Sequence, residues 1–154
     1  MRPMGTKWFI VLIACALLVG TAEAQISDGV VKIGILNDQS GTYADLAGPG
    51  SVVAARMAVE DFGAAKKGLK VEIVAADHQN KPDVGSQIAR QWFDVDKVDV
   101  IMDVPTSSVV LAINQIAREK NKALIVSSGA TSDLTGKACS PTGTTSWSGG
   151  AWST

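Results

Sequence analysis

The stretch Val31–Gly63, VKIGILNDQSGTYADLAGPGSVVAARMAVEDFG, decides the fold. Val31 to Leu36 is a short apolar run rich in β-branched residues, which reads as a buried strand. A hydroxyl- and glycine-rich loop follows, and then Val52, Ala55, Val59 and Phe62 recur at helical spacing, with Arg56 and Glu60 four apart on another face. The unit is strand, loop, helix, and its loop opens beyond the carboxyl end of the strand as a mouth for a ligand.

The same alternation continues toward the C-terminus. Gly63 and Gly68 punctuate the exit, Leu69–Ala76 (LKVEIVAA) gives a second strand, and Asp77–Pro82 (DHQNKP) is a polar loop. Val84, Ile88, Trp92 and Val95 mark the stripe of a second helix. Val98–Met102 reads as a third strand, Pro105 sits where helix entry is favoured, and Val109, Ile113, Ile116 and Ala117 lay out a third stripe before a fourth strand, Ala123–Ser127. Strands joined by single helices need right-handed crossovers, so they pair in parallel with helices on both faces. The fold class is α/β with an open, mostly parallel sheet.

Toward the N-terminus, residues 1–24 read as an export signal. Arg2 and Lys7 supply positive charge, Trp8–Gly20 is continuously apolar, and Ala22-Glu23-Ala24 fits a cleavage site, so the mature chain starts at Gln25. Thirteen apolar residues fall short of the roughly 20 that a spanning helix needs. Leu12-Ile13-Ala14-Cys15 resembles a lipoprotein box, but the apolar run continues past the cysteine. Without the signal, 12 basic and 14 acidic side chains remain. That balance offers no basic face to displace phosphate counterions, which argues against nucleic acid as a partner. Cys139 is the one thiol left, either buried, free, or paired with a partner outside this sequence.

Ligands of open α/β sheets lie beyond the carboxyl ends of the strands, near a topological switch point. Three loops belong there: Asp38–Gly50, Asp103–Ser108 and Ser127–Asp133. All three are rich in Ser, Thr and Gly, which bind polar solutes through neutral hydrogen bonds, while helix N-termini favour an anion such as a carboxylate. Each loop also has a plainer use. Thr106 or Ser107 would cap the third helix, and Ser132 or Asp133 a short helix after the last loop. His78, the single histidine, reads as a solvated loop residue with no cysteine or second histidine near it in sequence, so neither a metal site nor a nucleophile–base pair is indicated. No dinucleotide or phosphate-loop motif occurs, and no cofactor is implied. Asp38, Asp77 and Asp103 are placed like the acidic cluster of phospho-receiver domains, but an exported receiver would have no kinase.

The export signal, the VKIGILNDQSGTYADLAGPGSVVAARMAVEDF opening, VIMDVPTSSVVLAI and ALIVSSGATSDLTG together resemble the substrate-binding protein of an ABC importer, of the leucine/isoleucine/valine-binding, type I periplasmic kind. The resemblance runs from about Val30 to Pro141. It implies two α/β lobes joined by a hinge, with a branched-chain amino acid or similar small carboxylate, aromatic or aliphatic, held in the cleft, and a membrane permease as partner. By the same resemblance Ser107 and Ser108 supply the hydroxyl contacts of the third strand-to-helix loop. Gly129, Ala130 and Thr131 match the segment that meets an α-amino acid's carboxylate and ammonium, and Tyr43 and Leu46 fall where side chains wall the pocket. Residues 25–141 are then the N-terminal lobe, periplasmic and not an enzyme. Residues 142–154 (TGTTSWSGGAWST) depart from the pattern and read as an irregular tail, such as a shifted reading frame or premature end would produce. The competing reading is a ligand-sensing domain of the same fold.

Overall fold

The computed structural model describes residues 29–145, so the anticipated export signal and the last nine residues lie outside the described residues. Strand β1 is Val30–Asn37, β2 Lys70–Asp77, β3 Val100–Met102, β4 Ala123–Val126 and β5 Gly143–Thr145. Between them run a short helix α1 (Ala44–Ala47), then α2 (Pro49–Phe62), α3 (Pro82–Asp94) and α4 (Ser107–Glu119). The five strands form one sheet in the order β2-β1-β3-β4-β5, every neighbouring pair parallel. The chain steps from β1 to β2 in one direction and then returns past β1 to β3, so the switch point lies between β1 and β3.

That order assigns the helices to faces. Right-handed crossovers put α2 on one side of the sheet and α3 and α4, which pack along each other, on the other. On the α3/α4 face Gly34 aligns with Ile101, and Ile101 with Leu124. Ile101 and Leu124 join Leu36, Trp92, Phe93, Val98, Val109, Val110, Ile113, Ile116 and Val126 in one buried cluster. Strand alternation sends Ile33, Val100, Met102 and Ile125 to the α2 face, where all four are only partly buried. α2 contributes Val52 alone as a buried residue, and Phe62, placed in its stripe by spacing, is 54% exposed beneath the Lys67 ammonium, 3.5 Å from the ring centre. Both faces carry helices as anticipated, but the sealed core lies on one.

α3 corrects its anticipated stripe. Gly85, Ala89, Trp92 and Phe93 are its buried residues, whereas Val84 and Ile88 are intermediate and Val95 is 62% exposed. A Cβ at Gly85 would lie 2.7 Å from Val109 Cγ1, so the missing side chain is what lets α3 and α4 approach. α4 keeps its stripe: Val109, Ile113, Ile116 and Ala117 are all buried.

The segment after Pro141 is the other correction. Ser140 and Thr142 turn the chain, Leu124 donates to the Thr142 carbonyl at 3.0 Å, and Gly143–Thr145 pairs with β4 as the fifth strand. Three short residues without an apolar alternation give no sequence signal, because backbone pairing alone makes this strand. Cys139 is exposed and unpaired.

Gly34 tests the sheet–helix contact. A Cβ there would sit 2.5 Å from Trp92 Cζ3 and 3.2 Å from Val98 Cγ1. Gly34→Ala is expected to destabilise the chain by about 1–3 kcal/mol through overpacking. Urea unfolding followed by circular dichroism measures this, and an unchanged midpoint would refute the contact.

Candidate functional site

The carboxyl ends of β1, β3 and β4 are joined by side chains. Asn37, the last residue of β1, is buried, and its Nδ2 donates to the Gly48 carbonyl at 2.9 Å and to Asp103 Oδ2 at 3.1 Å. Asp103 follows β3 with φ 60, a left-handed backbone that aspartate tolerates better than most residues. Its other oxygen accepts from the Ser127 hydroxyl at 2.5 Å and the Ser128 hydroxyl at 3.1 Å, both just beyond β4. One buried carboxylate therefore draws three loops to a single edge, astride the switch point.

The first loop is shaped by two further carboxylates. Asp38, fully buried, accepts from the amides of Gly41 and Tyr43, each at 3.0 Å. Asp77 accepts from the Ser40 hydroxyl at 2.5 Å and from the Gln39 and Gln79 amides at 3.1 and 2.7 Å. Burial alone would raise the Asp77 pKa. The bonds from Ser40, Gln79 and Gln39 and the neighbouring His78 outweigh it and hold the group below its ordinary 3.8. Its stabilisation is therefore present above that value and lost as the pH falls through the lower folded-state value. All three aspartates are consumed by donors of their own chain. Among the described residues no group of three or more His, Cys, Asp or Glu is arranged to hold a metal ion.

Two anticipated caps resolve differently. Thr106 is the N-cap of α4, but its hydroxyl makes no capping bond and donates instead to Asn80 Oδ1 at 2.8 Å. After β4 it is Thr131, and not Ser132 or Asp133, whose oxygen caps the short 3-10 turn Ser132–Leu134, accepting from the Asp133 amide at 3.3 Å. His78 is not solvated as anticipated. It is fully buried, against α3, where a Cβ at residue 85 would lie 3.5 Å from its own.

The anticipated ligand residues occupy the rims of these loops. Ser107 opens α4 and is part-buried, Ser108 is exposed, Thr131 is part-buried and Ala130 is exposed. Gly129 is buried for packing, since a Cβ there would reach 2.5 Å from Val126 Cγ1. The same Cβ would lie 3.9 Å from the Val104 carbonyl oxygen, in the loop after β3. Tyr43 is 37% exposed and Leu46, on α1, 76% exposed, so neither is enclosed by the described residues. A hollow of about 680 Å³ lined by Val59, Gly63, Leu69 and Val71 lies at the opposite, amino-terminal edge of the sheet, away from every one of these loops. Sequence reasoning missed Asn37, Asp103 and Asn80 as the groups that set the loops. A polar residue at the end of each strand was the available signal.

The sequence profile of a family described as periplasmic binding protein matches residues 30–154. No curated protein matches the chain. Among solved structures, a periplasmic binding protein from Burkholderia mallei is 41% identical with a TM-score of 0.72, over 75% of this chain and 31% of that one. A branched chain amino acid ABC transporter periplasmic ligand-binding protein from Burkholderia xenovorans LB400 is 44% identical with a TM-score of 0.68, over 71% and 29%. An ABC transporter solute binding protein from R. palustris, in complex with benzoate, is 27% identical with a TM-score of 0.67, over 76% and 32%. The chain thus spans about a third of the length of the structures it matches.

The Asp103 network yields a direct expectation. Asp103→Ala removes the acceptor shared by buried Asn37, half-buried Ser128 and exposed Ser127 and places alanine at a left-handed φ, which together cost about 2–4 kcal/mol. Asp103→Asn keeps one acceptor and tolerates the backbone, so it costs less. Thermal unfolding of the two variants measures the difference, and equal, near-zero effects would show that the network does not hold the loops.

Proposed function

The chain belongs to the periplasmic binding protein family, and from that premise we propose that it contributes the N-terminal lobe of an extracytoplasmic solute-binding component of an ABC importer. The observation that carries the reading is the Asn37–Asp103–Ser127/Ser128 network, which gathers the polar loops after β1, β3 and β4 at one edge of the sheet. A solute held there meets hydroxyls and backbone amides, and the carboxylates of Asp38 and Asp103, among the described residues, are occupied by donors of their own chain. Binding, and not catalysis, is what such a rim can do.

The ligand class in this reading is a branched-chain amino acid or another small carboxylate, benzoates included. The first turn of α4 presents amides without intrahelical partners, and partial positive charge, toward a carboxylate. Ser107 and Ser108 add hydroxyl donors beside it. Thr131 spends its oxygen as an acceptor on Asp133 and keeps its hydroxyl proton for a ligand oxygen. Gly129 and Ala130 offer backbone groups, and Tyr43 and Leu46 supply apolar surface from the first loop. The proposed location is the periplasm, reached through the export signal of residues 1–24, and the proposed protein partner is the importer's permease. Residues 25–141 form the lobe in this reading, extended by β5.

One lobe supplies one wall of a two-lobed cleft, so this chain by itself binds weakly compared with an enclosed site. Titration of the full chain with isoleucine or benzoate, followed by amide chemical shifts, is expected to move the signals of residues 107–109 and 129–131 first. Thr131→Ala is expected to weaken binding by about 1–3 kcal/mol. Shifts confined to the opposite edge of the sheet, or none in these two segments, would overturn the reading.

A further inference from the structure

His78 is buried, titratable and unused by the site as described. Its ring nitrogen Nδ1 accepts from the Asn80 amide at 3.0 Å, which leaves the proton of the neutral ring on Nε2, an atom with no hydrogen-bond partner. The turn that this bond closes is unusual: Gln79 and Asn80 are consecutive non-glycine residues with φ of 54 and 56. It is tied by the Gln79 amide on Asp77 Oδ1, by the Lys81 amide on the His78 carbonyl at 2.9 Å, and by the imidazole. Asn80, so fixed, points its side-chain oxygen at the Thr106 hydroxyl, at the very start of α4. A continuous path of hydrogen bonds therefore runs from the buried ring to the helix end that carries Ser107 and Ser108.

We propose that His78 is a positioning residue for the start of α4, its neutral ring holding the Gln79–Asn80 turn so that Asn80 fixes Thr106. The inference rests on the proposed ligand site for its functional meaning and on the turn geometry for its physical content. The device is conditional on proton occupancy. A proton taken from solvent at Nδ1 turns the acceptor into a donor that faces the Asn80 N–H, so the turn opens and Thr106 loses its fixed partner.

The surroundings set when that happens. Burial of the ring opposes its charged form most strongly, while Asp38 at the end of β1, Asp77 on β2 and Asp103 after β3 favour it; the balance keeps the group below its ordinary 6.5. α3 approaches the Cβ of His78 through Gly85, which brings no charge. Because the folded chain favours the neutral ring, the unfolded chain takes up the proton first as the pH falls below 6.5. Stability is complete above that value and declines through the window down to the lower folded-state value, and the turn within the folded chain opens as the pH falls through that folded-state value.

The test uses amide hydrogen exchange by NMR on the full chain, as protection factors, from roughly pH 7.5 down to the lowest pH at which the chain stays folded, so that the range passes through the folded-state value. In the unsubstituted protein the protection of the Asn80 amide is expected to fall about tenfold across that range, the loss of one hydrogen bond. The signals of residues 106–108 should move with the same titration. His78→Asn places an oxygen where Nδ1 stands and does not titrate, so it should keep protection and lose the pH dependence. His78→Leu should lose protection at both ends, and if it fails to fold, the pH profile of His78→Asn still decides. A His78→Asn chain with an unchanged profile, or a folded His78→Leu chain with full protection at Asn80, overturns the inference. Neither outcome involves a ligand. Isoleucine and benzoate titrations of the same proteins separately read the ligand proposal, and their affinity is expected to fall at acid pH in the unsubstituted chain but not in His78→Asn.

Discussion

A carboxylate held out of water must be met by donors, and at Asp103 that requirement organises the whole candidate edge. Parallel strands end on the same side of a sheet, so the polar residues that follow them are close whatever their roles. Asp103 converts that closeness into definite geometry. One oxygen takes the amide of Asn37, and the other takes the hydroxyls of Ser127 and Ser128. Asn37 passes the constraint on, because the same amide nitrogen reaches the Gly48 carbonyl at the junction of the first loop with α2. The loops after β1, β3 and β4 are thus arranged in advance of any ligand, which lowers the ordering cost of binding.

Much of this was legible in the sequence, for reasons that also explain the exceptions. The β-branched runs gave β1, β2 and β4 to within a residue or two, and the long apolar stripe of α4 was fully buried as spacing implied. Hydropathy failed where burial does not come from bulk. Gly85 and Ala89 hold the inner face of α3 because helices pack closely there, while Val95 falls beyond the contact. His78 looked solvated because its neighbours Asp77 and Gln79 are polar. They are polar because their groups cap the turn, and the ring itself goes inward. β5 was illegible since Gly143–Thr145 owes its pairing to backbone alone. Of the site, the loop positions were readable and their wiring was not, as hydrogen bonds over separations such as Asn37 to Asp103 leave no local pattern.

The uneven burial of the two sheet faces gives the candidate edge unequal parts. On one side α3 and α4 seal a continuous apolar cluster, and the loops after β3 and β4 are anchored to it through Val104, Val109, Val126 and Leu134. On the other, α2 buries little more than Val52 and leaves Val53 and Met57 facing outward. Elements with few buried contacts open at lower free energy than the global transition, as separate cooperative units. The segment from Pro49 through α2, with Val52 as its buried residue, is the least deeply anchored part of that edge, while Gly48 before it is held by Asn37. In the proposed reading, two lips of the mouth are accordingly stiff jaws, and the third gives way first on its outer side, beyond the Gly48 carbonyl that Asn37 holds.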